Sequence, residues 1–221
     1  MLKQVLKFIL GIFITPVCVG VSLALYEQLN QIKVISYYHQ KYFVIGIVAY
    51  LVVHAMIFKP AYLYIFSHEF MHAIATWISG GKVTAFNVSS KGGSVAVTKS
   101  NLFIALAPYF FPFYTIIVTI IFFGAKLFLK DGIDYNPFLF AIGFTLAFHI
   151  ILTLDFLKIR QTDLLHAGYL FSMCLIYIVN LFVIGFIFSL LFSSVTFKAF
   201  AMDTYIRSKD IYIGIYQQLF L

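Results

Sequence analysis

Six long apolar segments constrain the fold of this chain more than any other feature. Each is close to the roughly 20 residues that a helix needs to cross the hydrocarbon core of a bilayer. Of the 221 residues, 62% are hydrophobic and 10% are charged, a balance that soluble domains do not have. The sequence therefore predicts an all-α polytopic membrane protein with about six transmembrane helices. The segments cover residues 5–26, 42–58, 61–79, 102–125, 137–154 and 167–195.

Two of these segments allow alternative interpretations. Residues 1–26 resemble a signal peptide, but the charge-free run 8–26 is long enough to span a bilayer, and we expect a retained first helix. The second and third segments are separated by Lys59-Pro60 alone. They form either a tight helical hairpin or one long helix that kinks at Pro60.

The charged and thiol side chains exclude some functions. The net charge of +7 suits contact with anionic lipid headgroups. The lysines and arginines are scattered, so nucleic-acid binding is not expected. Cys18 and Cys174 lie in apolar segments and are expected to be small core residues, because the chain has no cysteine-rich zinc pattern.

Residues 68–72 read His-Glu-Phe-Met-His and form an H-E-x-x-H motif inside the third apolar segment. Histidines four residues apart share one helix face, so His68 and His72 can bind one zinc ion. Glu69 can take a proton from a water that the metal activates. Because charged groups at bilayer depth are costly, an intramembrane glutamate between two histidines is a functional-site candidate by default.

The segment that follows the motif predicts a β-hairpin at about residues 82–99. Gly80-Gly81 is a helix stop, and residues 83–88 and 94–98 alternate on either side of a turn-forming stretch. Such a hairpin is either a solvated connector or an edge strand that pairs with an unwound substrate. The tail at about 196–221 mixes cationic and aromatic residues, which favours an amphipathic segment at the membrane interface.

A catalytic zinc needs a third protein ligand, and the motif supplies two. Asp163 is the favoured candidate, because it lies where the fifth apolar segment ends and the sixth begins. Asp155, at the end of the fifth segment, is the second candidate, and a histidine is the third. The histidines considered are His54, His149 and His166. His166 is alternatively a residue that orients Asp163.

The stretch HEFMHAIATWISGGKV, followed by a hairpin and then LAPYFFP, resembles the site-2 protease family of intramembrane zinc metalloproteases. It is closest to the compact bacterial branch that lacks accessory domains, and the resemblance covers about residues 61–168. It implies that His68, His72 and Asp163 bind Zn²⁺ and that Glu69 is the general base. Where the family has Asn-Pro or Leu before Asp-Gly, this chain has Gln161-Thr162-Asp163-Leu164. Gln161 is therefore the candidate for an amide that assists the reaction.

The sequence thus predicts a single membrane-embedded metalloprotease domain over residues 1–221. Its expected function is zinc-dependent cleavage within or near a transmembrane segment of a small membrane protein, a signal-peptide remnant or a peptide precursor. The expected partners are this substrate and the lipid bilayer, and the expected location is the bacterial cytoplasmic membrane. The alternative is a membrane transporter or a metal- or proton-binding protein that uses the same His/Glu cluster. A third possibility is an inactive scaffold that binds helices.

Overall fold

The computed structural model describes residues 2–32, 37–129, 134–159 and 162–221. These residues are mostly helical, and one antiparallel pair of strands interrupts the helices. In chain order the elements are α1 (Leu2–Ile32), α2 (Tyr37–Val52), a π-helical turn (Val53–Ile57), α3 (Ala61–Ile78), β1 (Val83–Ser89), β2 (Gly92–Val97), α4 (Leu102–Phe110), α5 (Phe113–Phe128), α6 (Tyr135–Leu157), α7 (Thr162–Ala167), α8 (Tyr169–Leu191) and α9 (Phe197–Phe220).

Within the described ranges, three helices are each long and apolar enough to cross a membrane, namely α1, α6 and α8. Two further pairs of helices meet this criterion only together, and both pairs are bent, so the number of spans is at most five. These helices indicate a membrane protein, as the composition predicts. Six separate transmembrane helices are not confirmed.

A sharp bend separates the second and third apolar segments. The π-helical turn follows α2 directly, and the chain then turns through 119° before α3 begins. Proline has no backbone N–H and disfavours helical geometry in the preceding residue, so a helix cannot run through Lys59-Pro60 without distortion. The chain therefore takes the sharp turn, and the alternative of one long kinked helix is not observed.

A second bend corrects the prediction of one helix over residues 102–125. The segment is divided into α4 and α5, which meet at 68°. Phe111 between them is extended, with φ −106° and ψ 117°, as is usual for a residue that precedes a proline. The result is a short α4, nine residues long, that ends beside the bend.

The contacts divide the chain into two compact units, Ser36–Gln161 and Met1–Ile35 together with Thr162–Leu221. In the first unit, α2 and α6 pack backbone to backbone at two glycines. A Cβ on Gly46 would lie 2.1 Å from the Phe140 carbonyl oxygen, and a Cβ on Gly143 would lie 2.1 Å from that of Phe43. Small residues of this kind allow helices to approach closely in an apolar medium.

An aromatic core joins α3 to this helix pair. Tyr50, Tyr64, Phe148 and Leu152 form one buried cluster. The Tyr64 hydroxyl donates to Thr153 Oγ1 at 3.2 Å, which satisfies the polar end of an otherwise apolar contact. The helix that carries the H-E-x-x-H motif is therefore anchored to α6 by its first turns.

In the second unit, α1 packs against α8 and α9. Their shared core consists of Val21, Ala24, Ile178 and Phe200. The predicted C-terminal segment is a helix, α9, whereas its position at a membrane interface stays a prediction. Between α7 and α8, Gly168 has φ +92°, a value that glycine adopts readily.

The α2–α6 contact gives a prediction about stability. Gly143→Ala places a methyl group against the Phe43 carbonyl, and one of the two helices must move to accommodate it. We expect a loss of about 2–3 kcal/mol in unfolding free energy, in the range for overpacked cores, measured by denaturant titration in detergent. Gly124→Ala in α5 is the control, because its Cβ would meet no heavy atom within 4 Å. Equal stability of the two variants would contradict the packing described.

Candidate metal centre and its surroundings

The helix α3 brings His68 and His72 together on one face. Their ring centroids are 4.9 Å apart, and the rings are nearly perpendicular, at 80°. This proximity follows from the spacing of four residues, which places two side chains one turn apart on an α-helix. The two imidazoles are therefore close enough to share a ligand.

The orientation of His72 is set by the backbone of α4. His72 Nδ1 lies 2.7 Å from the Ile104 carbonyl oxygen. A carbonyl can only accept, so Nδ1 carries the hydrogen and the lone pair of the neutral ring is on Nε2. Metal-binding histidines commonly have such a partner, which selects the tautomer and directs the other nitrogen to the metal.

The position of that carbonyl depends on the N-terminus of α4. Asn101 caps the helix, because its side chain accepts a hydrogen bond from the Ile104 N–H at 2.7 Å. The Asn101 amide also donates to Ser79 Oγ at 3.2 Å, at the end of α3. Neither Asn101 nor the Ile104 carbonyl is among the site residues that the sequence predicts. The N-cap signal of an asparagine before an apolar run could have located the start of α4, but not its contact with His72.

Aromatic side chains surround His68. The ring of Tyr109 lies 5.0 Å from the His68 ring at 82°, and the ring of Tyr64 lies 5.9 Å from it. Both tyrosines are almost fully buried. The histidine pair is thus enclosed by apolar ring surface, where electrostatic interactions are stronger than in water.

Glu69 is buried, with 9% of its surface exposed, and the hairpin lies against it. A Cβ on Gly93 in β2 would lie only 2.5 Å from Glu69 Cγ. In β1, the Phe86 ring packs against Phe66 and Phe70, with centroid distances of 6.1 and 6.4 Å. The predicted hairpin is therefore confirmed, and it packs on the helix that carries the motif.

The backbone of β2 has one row of polar groups that faces away from β1. Ser89 and Gly92 are partners on either side of the two-residue turn, so they form a hydrogen-bonded pair. Since hydrogen-bonded and non-hydrogen-bonded positions alternate along an antiparallel ladder, the even-numbered residues of β2 direct their backbone groups to β1. The odd-numbered residues direct theirs to the outer edge. These residues are Gly93, Val95 and Val97.

Asp163 completes a group that could hold a metal ion. It lies in the first turn of α7 and is partly buried. One donor atom each from His68, His72 and Asp163 lie within 4.8 Å of one another, and they form the only such group among the described residues. Two imidazoles and one carboxylate suit zinc, whose bonds to nitrogen and oxygen are about 2.0 Å long.

The alternative carboxylate, Asp155, is held by cationic side chains. Lys59 Nζ lies 2.8 Å from its Oδ2, and Lys158 Nζ lies 2.7 Å from its Oδ1. His54 Nε2 is 3.3 Å from the same Oδ2, so this histidine contacts Asp155. His149 is buried on α6 and is not part of the group that could hold a metal ion. The side chain of His166 and all of Gln161 lie outside the described residues.

Comparison with known proteins identifies no relative of this chain. A scan against protein-family models, a search of the curated proteins and a search of the solved structures find no match to this chain. The resemblance to site-2 proteases accordingly stays a prediction from the motifs.

The grouping of donor atoms generates a prediction about metal content. We expect the purified protein to carry about one zinc ion per chain and His72→Ala and Asp163→Asn to lose most of it, since structural and catalytic zinc sites need three or four protein ligands. Elemental analysis after removal of loosely bound metal measures this. Asp155→Asn is the matched control and should keep its zinc. Loss of zinc from Asp155→Asn with full retention by Asp163→Asn would reverse the assignment of the third ligand.

Proposed function

We propose that this protein is a zinc-dependent intramembrane endopeptidase. The observation that carries the proposal is the convergence of His68, His72 and Asp163, with Glu69 on the same helix as the two histidines. Three protein ligands leave one position of a tetrahedral zinc open, which is the arrangement of catalytic rather than structural sites. Zinc bound there would lower the pKa of a water molecule and polarise the scissile carbonyl.

Glu69 is the residue that moves protons in this proposal. It follows His68 directly, so it projects about 100° further around the helix and acts beside the ligand pair rather than within it. Its carboxylate takes a proton from the attacking water and passes it to the leaving amine. The buried surroundings favour this role, because few other water molecules compete for the carboxylate.

The substrate we propose is an extended segment of a membrane protein, a signal-peptide remnant or a peptide precursor. The hydrogen bonds of a helix protect its peptide bonds from attack, so the substrate must unwind before it is cleaved. The outer edge of β2 offers backbone groups to an extended chain, and strand addition satisfies the polar groups that unwinding exposes. The bacterial cytoplasmic membrane is the location that this proposal expects.

The first test of the function replaces the base. Glu69→Gln keeps the shape of the side chain but cannot accept the proton, and we expect a folded, zinc-bound protein whose cleavage rate falls by about 10²–10⁴-fold. The measurement is cleavage of a membrane-embedded peptide by reconstituted protein, alongside zinc stoichiometry. Cleavage by Glu69→Gln at the rate of the unmodified protein would contradict the proposed metalloprotease function. Loss of zinc together with activity would make Glu69 a ligand and favour a metal transporter.

The second test concerns the edge of β2. Val95→Pro removes an N–H that faces away from β1, so the hairpin should persist while one bond to a substrate strand is lost. A single backbone hydrogen bond contributes about 0.5–1.5 kcal/mol, and we expect kcat/KM to fall roughly threefold to tenfold with zinc unchanged. Val95→Ala, which trims the side chain and keeps the N–H, is the control. Equal kcat/KM for the proline and alanine variants would remove strand addition from the proposal.

A further inference from the structure

We propose that Gly93 is a positioning residue that fixes the conformation of the Glu69 side chain. The inference rests on the proposed function, in which Glu69 is the general base. It adds a role for a residue outside the H-E-x-x-H motif and outside the metal ligands. The observation that carries it is the close approach of the β2 backbone to the Glu69 side chain.

Space, rather than backbone conformation, demands a glycine at this position. A Cβ on Gly93 would lie 2.5 Å from Glu69 Cγ, 3.0 Å from Glu69 Oε1 and 2.8 Å from Ile65 Cγ2. All three distances are at or below the closest that real Cβ contacts reach. The described glycines with positive φ are Gly80, Gly92 and Gly168, so Gly93 has a conformation that any residue can adopt. The strand therefore packs directly on the stem and one carboxylate oxygen of Glu69.

This contact restricts the glutamate because the strand itself is anchored. Glutamate has several rotatable bonds and loses much of its conformational freedom when it is buried. The hairpin is held against α3 by the Phe86 ring, which packs edge-on against both Phe66 and Phe70. Rotamers that would bring the carboxylate further toward β2 are thus excluded. A general base must be held within a fraction of an ångström of its working position, and supporting contacts provide that precision.

Gly93 also belongs to the row of β2 residues whose backbone groups face the outer edge. A substrate strand that pairs with this edge would hydrogen-bond to the residue that packs on Glu69. One residue would then set the conformation of the base and contribute to the register of the substrate. A larger side chain at this position should therefore affect the chemical step more than the assembly of the metal site.

The kinetic test is Gly93→Ala. We expect zinc stoichiometry to remain unchanged, kcat to fall by roughly tenfold to hundredfold, as displacements near 1 Å cause, and KM to stay within about twofold. Gly124→Ala, where the added Cβ meets open space, and Ser94→Ala, on the opposite face of β2, are the controls and should cleave normally. Normal kcat for Gly93→Ala would overturn the inference while leaving the protease function intact.

A thermal double-mutant cycle tests the contact without activity. Gly93→Ala should lower the melting temperature of the zinc-free protein, and it should do so less in a Glu69→Ala background, where Cγ is absent. The contact with Ile65 is present in both backgrounds, so its effect on the melting temperature cancels when the two changes are compared. If Gly93→Ala alone does not fold, recovery of folding in the double variant supports the contact. Equal effects in both backgrounds, or no recovery, would contradict it. The protease function is tested separately. It would fail if the unmodified protein cleaved no membrane-embedded peptide, whatever the result of the double-mutant cycle.

Discussion

The cost of polar groups in an apolar medium governs this structure. In hydrocarbon, a backbone or side-chain polar group without a partner costs several kcal/mol, so helices are the natural form for long apolar segments. The same cost applies to the H-E-x-x-H motif, whose ionisable groups lie in an apolar helix. The hydrogen bond from His72 to the Ile104 carbonyl is one response to it. That bond satisfies Nδ1 of His72, and the lone pair of the neutral ring is then on Nε2.

Prolines shape the surroundings of this bond. Pro108 lies inside α4 and has no backbone N–H to donate to the Ile104 carbonyl, so that carbonyl can accept from His72. Pro112 divides α4 from α5, and the short α4 begins at Asn101, whose side chain caps it and also reaches Ser79 at the end of α3. A straight helix over the same residues would have had no such bend beside the motif. Pro60 acts similarly before α3, where the chain turns through 119°. The helix breakers therefore shape the surroundings of the histidine pair, although none of them belongs to the motif.

Under the proposed function, the hairpin connects the candidate chemistry to a substrate. One face of β2 packs on α3 at Glu69, and the outward-facing backbone groups of the same strand suit an extended peptide. A glycine at position 93 permits the approach that a side chain would prevent. Under the proposed function, the base and the substrate-binding edge are thus adjacent because they share one strand rather than a flexible loop.

The sequence by itself determined the helical membrane class, the hairpin, and the pairing of His68 with His72, because each depends on local periodicity or on spacing within one helix. It also named Asp163, but it left Asp155 and three histidines as alternatives. Tertiary structure distinguishes their surroundings: Asp155 lies among Lys59, Lys158 and His54, whereas Asp163 belongs to the group of described residues that could hold a metal ion. Three further features became visible only in the tertiary structure. They are the contact of the Ile104 carbonyl with His72, the contact of Gly93 with Glu69, and the number of spanning helices. The two contacts join residues far apart in the chain, and the number of spans depends on the angle between helices at a proline. A local sequence pattern encodes neither a long-range contact nor such an angle.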